Sequence, residues 1–290
     1  MCRWIAYSGT PVLLSQVLFE PEHSLIDQSL HSRMGVETTN GDGFGVGWYT
    51  RDADTPAVLR DLGPAWNNRN LLEVTHHVRS GLFFAHIRAS TGTAVQQTNC
   101  HPFVNGRWMW MHNGAISGFH RLRRDLALAV DPALYPDYPA LYPDIEGSTD
   151  SELMFFLALT FGLPEDPPGA VARMAGLVEQ AGHAHDVQHP LQMTIAVADG
   201  ERIWVFRYSS EGRSRSLYFS TKVDALRALH PDAAFLRDIS DETRLVVSEP
   251  LGALPGAWNE VPESSYGIIQ RGEDMLHSFR PALPVDSARS

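Results

Sequence analysis

The feature that most constrains this chain is a set of short apolar runs, each closed by glycine, asparagine or polar residues. They span residues 2–8, 44–49, 82–88 and 108–112. With no polar alternate face, they read as strands covered on both sides. Residues 192–198 and 202–208 flank Asp199-Gly200, a pair that tolerates the unusual backbone angles of a tight hairpin. Runs at 217–220 and 245–248 continue the strand-rich second half. Helices are fewer. Residues 119–130 are amphipathic, 152–161 are apolar enough to predict burial, 169–181 form a third helix, and 221–229 a fourth opening with Thr-x-x-Asp. Between the first two lies 132–147, where Ala-Leu-Tyr-Pro-Asp occurs at 133–137 and again at 140–144. Its four prolines predict an irregular surface loop. Antiparallel strands with interspersed helices give an α+β class. No linker divides residues 2–280, and 281–290 read as a disordered tail.

Composition narrows the function. The chain has 290 residues, 43% of them hydrophobic, and a formal net charge of −11. That charge gives no electrostatic footing for a phosphate backbone, so nucleic acid is excluded as a partner. Lys222 is the single lysine, so no phosphate-binding Gly-Lys-Ser/Thr loop exists. No run approaches the roughly 18 apolar residues of a membrane span. The first ten residues lack a signal peptide's basic start and long apolar core. Two cysteines cannot form a disulfide framework. A cytoplasmic enzyme or binding protein is the expectation.

Four segments carry chemistry. Removal of Met1 before the small Cys2 side chain would place a thiol and a free α-amine on one residue. An α-amine has a pKa of about 7.7–8.0 and can serve as a general base. The alternative is a buried small residue opening a strand. Arg88, with Ala89-Ser90-Thr91-Gly92 after it, puts a cation and hydroxyls at a strand end. Asn113-Gly114 offers a side-chain amide beside an open backbone N–H, a donor pair suited to an oxyanion, or else a hairpin turn. Ser148-Thr149-Asp150-Ser151-Glu152 reads as a capping box, with Thr149 at the N-cap and Glu152 closing it. Asp150 then sits in the first helical turn, where a carboxylate is favoured in any case. Arg88 could equally make a structural ion pair.

Together, Met-Cys at the start, 40–45 (Asn-Gly-Asp-Gly-Phe-Gly), 86–92, His112-Asn113-Gly114, 149–152 and Ser248-Glu249-Pro250 resemble the class II glutamine amidotransferases, which are N-terminal-nucleophile hydrolases. The resemblance implies a four-layer α/β/β/α sandwich of two antiparallel sheets. It also implies hydrolysis of a γ-glutamyl amide through a thioester on Cys2, with no metal or organic cofactor. Arg88 and Thr91 would hold the substrate α-carboxylate, Asp150 its α-ammonium, and Asn113 with the Gly114 N–H the oxyanion. A planar guanidinium suits a carboxylate because it can bond both oxygens.

The chain departs from synthase-linked members, which commonly have glycine after the cysteine where this one has Arg3-Trp4. Nothing after the hydrolase-like region could form a synthase domain. Residues 21–29, Arg33 and 40–49 are similar to a stand-alone branch, which includes the ergothioneine-pathway γ-glutamyl hydrolase and the amidotransferase-like subunit of a glutathione-degrading complex. A small γ-glutamyl thiol or amine is therefore an expected substrate. A glutaminase subunit feeding ammonia to a partner enzyme of the same pathway, and a non-catalytic subunit keeping the fold, are the alternatives. His76-His77 and His183, His185 and His189 are read as solvated rather than metal-binding, the second group on a loop. Cys100, Trp108 and Trp110 are read as structural.

Overall fold

The computed structural model describes residues 2–34, 39–90, 94–134, 145–232, 234–237, 239–270 and 273–284. In chain order the strands are β1 (Arg3–Leu13), β2 (Phe44–Trp48), β3 (Ala57–Asp61), β4 (Arg79–Ile87), β5 (Phe103–Asn105), β6 (Trp108–Ile116) and β7 (Leu191–Ala198). Then come β8 (Ile203–Ser209), β9 (Tyr218–Ser220), β10 (Arg244–Val247), β11 (Trp258–Glu260), β12 (Ser265–Gln270) and β13 (Glu273–Ser278). The helices are α1 (Leu14–Leu18), α2 (Leu25–His31), α3 (Arg69–His77), α4 (Phe119–Leu128), α5 (Asp150–Thr160), α6 (Pro167–Ala184) and α7 (Val223–Leu229).

The strands form a seven-stranded sheet, β11-β9-β10-β1-β4-β2-β3, and a six-stranded sheet, β13-β12-β8-β7-β6-β5. Every described pairing is antiparallel. Side-chain alternation along each strand explains the layering. Trp4 and Ala6 of β1 and Phe84 of β4 point between the sheets and meet Met109 and Met111 of β6. Ile5, Tyr7, Phe83 and Ala85 point the other way, under Leu14, Leu25 and Leu71 of α1–α3. On the far side, Trp108 and Trp110 pack under Leu122 of α4, Phe155 and Phe156 of α5, and Met174 of α6. The result is the four-layer α/β/β/α sandwich, and burial on both faces is why these strands read as unbroken apolar runs.

The Asp199-Gly200 turn joins β7 to β8, with Asp199 Oδ1 accepting the Glu201 and Arg202 N–H groups at 2.8 Å each. Helix α5 is buried from Ser151 through Ala158, because α4, α6 and β6 all pack on it. Two expectations are corrected and one alternative is set aside. Thr221 does not cap α7, which begins after Lys222; its hydroxyl instead donates to Gly256 O at 2.6 Å. His183 and His185 lie in the last turn and C-cap of α6 rather than on a loop, and His185 Nε2 meets Asp125 Oδ2 at 2.8 Å. Asn113-Gly114 is strand interior, not a turn. The duplicated pentapeptide falls largely on 135–144, outside the described residues. Past Arg280 the chain follows α6, where the Ala282 N–H donates to Ala172 O at 2.9 Å; residues 285–290 lie outside the described residues. Among the described residues no helix is long and apolar enough to cross a membrane.

Candidate active site

Strand register brings the first two candidates together. Arg3 of β1 pairs with Ile87 of β4, so Cys2 and Arg88 follow at adjoining strand ends. Cys2 is half-buried, and its Sγ accepts the Ala89 N–H at 3.4 Å. The 40–45 motif continues the ladder on the other side of β4. The Arg88 N–H donates to Gly43 O at 2.8 Å, the Asp42 N–H to Arg88 O at 3.2 Å, and Asp42 Oδ2 accepts the Ser90 N–H at 2.7 Å. Gly45 has no room for a side chain, because a Cβ there would lie 2.0 Å from His101 O. The segment entering the second sheet thus rests directly on β2.

The second sheet supplies the opposite wall. Along β6, Met109 and Met111 face the first sheet while Trp108 and Trp110 face the helices. The same alternation sends Asn113 toward β1, where its Nδ2 donates to Cys2 O at 3.0 Å, and His112 toward α5, where its Nδ1 lies 2.8 Å from Ser151 Oγ. An amide NH2 has two hydrogens, so one remains to donate elsewhere. Gly114, at φ 154°, presses against β7; a Cβ there would lie 1.9 Å from Gln192 O.

Helix α5 delivers Asp150. Thr149 is its N-cap, accepting the Glu152 N–H at 3.2 Å. Glu152 does not close the expected box; its carboxylate accepts the Glu146 and Gly147 N–H groups at 3.0 and 2.8 Å. Burial pushes its pKa up to about 7. Asp150 is anchored by the Ile116 N–H at 2.8 Å and by the Ser151 N–H at 2.8 Å. The Arg88 guanidinium is buried and donates to Ser90 Oγ at 3.2 Å and Ala94 O at 3.1 Å. Cys2, Arg88, Gly114 and Asp150 line one cleft of about 310 Å³. Asn113 reaches it through Cys2 O, and Thr91 lies outside the described residues.

Several cleft residues were not anticipated as site residues: Ser90, Asn99, His101, Phe119, His120 and Ser151. Asn99 is fully buried and ties the two loops that carry the site. Its Nδ2 donates to Ala94 O at 2.9 Å and its Oδ1 accepts the Ser148 N–H at 2.9 Å. No period or spacing in the sequence marks it. The cleft is flanked by imidazoles held neutral by burial. His86 is pushed down to about 3, and His101 and His112 are lowered from the ordinary range. Burial also pushes the Cys2 thiol up, while the Ala89 N–H and the Arg88 and Arg3 charges act in the opposite direction. Cys100 is buried with its Sγ near Asp61 O and Gln96 O.

Residues 16–282 match the family model for class-II glutamine amidotransferases. The chain belongs to that family. The probable glutamine amidotransferase DUG3 of Saccharomyces cerevisiae is 34% identical over 306 residues, covering 96% of this chain and 84% of that protein. The γ-glutamyl-hercynylcysteine sulfoxide hydrolase of Mycolicibacterium smegmatis is 26% identical, covering 91% and 93%. Among solved structures, a glutamine aminotransferase class-II domain protein from Silicibacter pomeroyi is similar at TM-score 0.70 and 31% identity, covering 97% of this chain and all of that one. The glutamine phosphoribosylpyrophosphate amidotransferase of B. subtilis, at 13% identity and TM-score 0.57, shares the fold over 50% of its length. This class II amidotransferase thus has the four-layer sandwich expected of its family, with Cys2 immediately before the central strand β1.

Proposed function

We propose that this amidotransferase-family chain hydrolyses a γ-glutamyl amide bond, releasing glutamate through a γ-glutamyl thioester on Cys2. The observation that carries the proposal is one cleft bordered by a cysteine sulfur, a buried guanidinium and an anchored carboxylate. A γ-glutamyl group presents a carboxylate and an ammonium at one end and an amide carbonyl at the other. Arg88, with Thr91, binds the carboxylate, and Asp150 binds the ammonium. With Met1 removed, the Cys2 α-nitrogen takes the thiol proton as sulfur attacks the amide carbonyl. The free hydrogen of Asn113 Nδ2 and the Gly114 N–H receive the developing oxyanion. The ammonium then returns the proton to the leaving nitrogen, the C–N bond breaks, and an amine departs. Water attacks the thioester in the second half, with the same α-nitrogen as base, releasing glutamate and the thiol.

The name of the M. smegmatis hydrolase supports a γ-glutamyl conjugate of a small sulfur compound, including a sulfur-histidine conjugate, as substrate, whereas the name of the yeast amidotransferase supports glutamine. The activity is assigned to one domain over residues 2–280 and to the cytoplasm. Glutamate release is the test, measured for glutamine, glutathione, other γ-glutamyl amines and γ-glutamyl sulfur-histidine conjugates, with Cys2→Ala as control. Fast release from one conjugate and little from glutamine is expected. Release from glutamine alone, rising when a partner synthase is added, would reassign the chain as an ammonia donor. Silence across the panel from protein lacking Met1 would overturn the hydrolase.

A further inference from the structure

Arg3 is 1% exposed, on the face of β1 opposite the inter-sheet core, and its guanidinium is bonded along its whole edge. Its Nε donates to Glu249 Oε2 at 2.8 Å, its Nη2 to Ser32 Oγ and Met34 O, and its Nη1 to Cys2 O at 3.0 Å. Glu249, 2% exposed, is held in turn by His23 Nε2 at 2.6 Å and by the Arg33 and Met34 N–H groups at 2.9 and 3.1 Å. Two segments remote in sequence, 32–34 and Glu249, thus hold one guanidinium against the neighbouring Cys2 carbonyl. A buried ion pair is weak grounds for a stability role, because well-packed apolar side chains often serve as well. What an apolar side chain could not do is donate to Cys2 O.

That carbonyl receives two donors from opposite sides of the molecule, Arg3 Nη1 from within the first sheet and Asn113 Nδ2 from the second, each at 3.0 Å. A carbonyl oxygen has two lone pairs, so both are engaged and the peptide plane leaving residue 2 is fixed. The Cα of Cys2 lies in that plane and carries both the sulfur and the α-nitrogen, so holding the plane fixes the Cα and the axis about which the two reactive atoms turn together. We propose that Arg3, locked by Glu249, is a positioning residue that aims the Cys2 sulfur and α-nitrogen into the cleft by pinning the Cys2 carbonyl. This rests on the assignment of Cys2 as nucleophile.

The experiment compares Arg3→Met, Arg3→Lys and Glu249→Gln with wild type and Cys2→Ala on the fastest γ-glutamyl substrate of the panel. Competent sites are counted by iodoacetamide labelling of Cys2, located by mass spectrometry, and folding is followed by circular dichroism. Misaim of about 1 Å predicts a loss of about 100-fold in kcat per titrated Cys2 for Arg3→Met. KM should stay within about threefold, because Arg88 and Asp150 are untouched. Arg3→Lys keeps a charge opposite Glu249 but cannot bridge to the carbonyl, so it should follow Arg3→Met, and it serves where Arg3→Met does not fold. Glu249→Gln should lower kcat per titrated site less. A folded Arg3 variant with fewer titratable sites but wild-type turnover per site would overturn the proposal, leaving Arg3 a stability residue. Failure of all three variants to fold would do the same. Glutamate release by Cys2→Ala would overturn the nucleophile itself, whereas a silent Cys2→Ala beside fully active Arg3 variants overturns only the role of Arg3.

Discussion

Replacing Asp150 with asparagine removes charge while keeping shape, and the structure lets the consequence be divided into binding and stability. The Asp150 carboxylate accepts the Ile116 N–H and Ser151 N–H at 2.8 Å each, and a longer bond from Ser151 Oγ at 3.3 Å. Asparagine retains one carbonyl oxygen, so either the Ile116 N–H on Oδ2 or the Ser151 N–H on Oδ1 loses its acceptor at a cost of about 1–3 kcal/mol, while Thr149 still caps α5 and keeps its N-terminus formed. What it loses is a charge-assisted contact with the substrate ammonium, worth about 1.5–3 kcal/mol. At about 1.4 kcal/mol per tenfold, kcat/KM should fall roughly 10- to 150-fold, with most of the loss in KM. Asp150→Ala should lose at least as much and leaves both the Ile116 and Ser151 N–H groups without this acceptor, destabilising the fold by a further roughly 1–3 kcal/mol beyond Asp150→Asn. The assay is amine release from a γ-glutamyl amide and from the matching glutaryl amide, which lacks the α-ammonium. For wild type the glutaryl amide should be poorer by the same factor, and Asp150→Asn should make it no worse. A KM for the γ-glutamyl amide within about twofold of wild type in folded Asp150→Asn, or equal losses on both substrates, would refute the assignment.

Cys2→Ala should abolish glutamate release while leaving the thermal unfolding midpoint near that of wild type; residual turnover above background would rule out the thioester. Gly114→Ala should destabilise the chain by at least about 2 kcal/mol, because its methyl group would meet Gln192 O at 1.9 Å and His112 Nε2 at 2.7 Å. An unchanged urea midpoint would contradict that packing. Glu152, raised to about 7 chiefly by burial, holds its proton in the folded state after the unfolded chain has released it. Its contribution therefore favours folding at low pH and is lost between about 4.5 and 7, so the unfolding midpoint of wild type should fall relative to Glu152→Gln across that window. Glu249 has the opposite sign: burial works against its ionisation, but His23, the Arg33 and Met34 N–H groups and Arg3 together hold its carboxyl below the ordinary range. Its stabilisation is present above about pH 4.5 and lost as pH falls through the lowered value, so wild type should lose more stability on acidification than Glu249→Gln.

The parts of the site that were legible in the sequence are those that obey a local rule. Cys2 and Arg88 stand at the ends of apolar runs, and antiparallel register sets strand ends side by side. Asp150 follows a threonine that caps a helix, and Asn113 falls on the alternate face of a Met-Trp-Met-His-Asn strand. What stayed hidden depends on single contacts across long stretches of chain. Asn99 bonds a loop 49 residues away, and Arg3 meets Glu249 across 246 residues; neither has a period or a spacing. Glu152 was expected to fold back on Thr149 and instead serves the loop before it, a choice set by burial rather than by the capping pattern. The fold shows the same division. The strands β1, β2, β4, β6, β7 and β8 are legible as apolar runs, and so are the short β9 and β10, whereas β3, β12 and β13 mix polar with apolar residues, and α1, β5 and β11 are too short for periodicity to register.

The electrostatics also bear on which group moves the proton. In a cysteine–histidine enzyme a thiolate is stabilised beside an imidazolium, and two residues must be kept in register. Here burial raises the Cys2 thiol and lowers His86, His101 and His112, so the surroundings favour a neutral thiol among neutral imidazoles. Attack from a thiol needs a base at the moment of reaction. Under the proposed assignment that base is the α-nitrogen on the same Cα. The geometry to be controlled is then the conformation of one residue rather than the alignment of two. A device that holds the carbonyl of that residue fixes the Cα from which both reactive atoms project, whereas a charge placed against the sulfur would hold only one of them. The Arg3 and Asn113 contacts, both on Cys2 O, therefore fix the axis about which nucleophile and base turn as a unit.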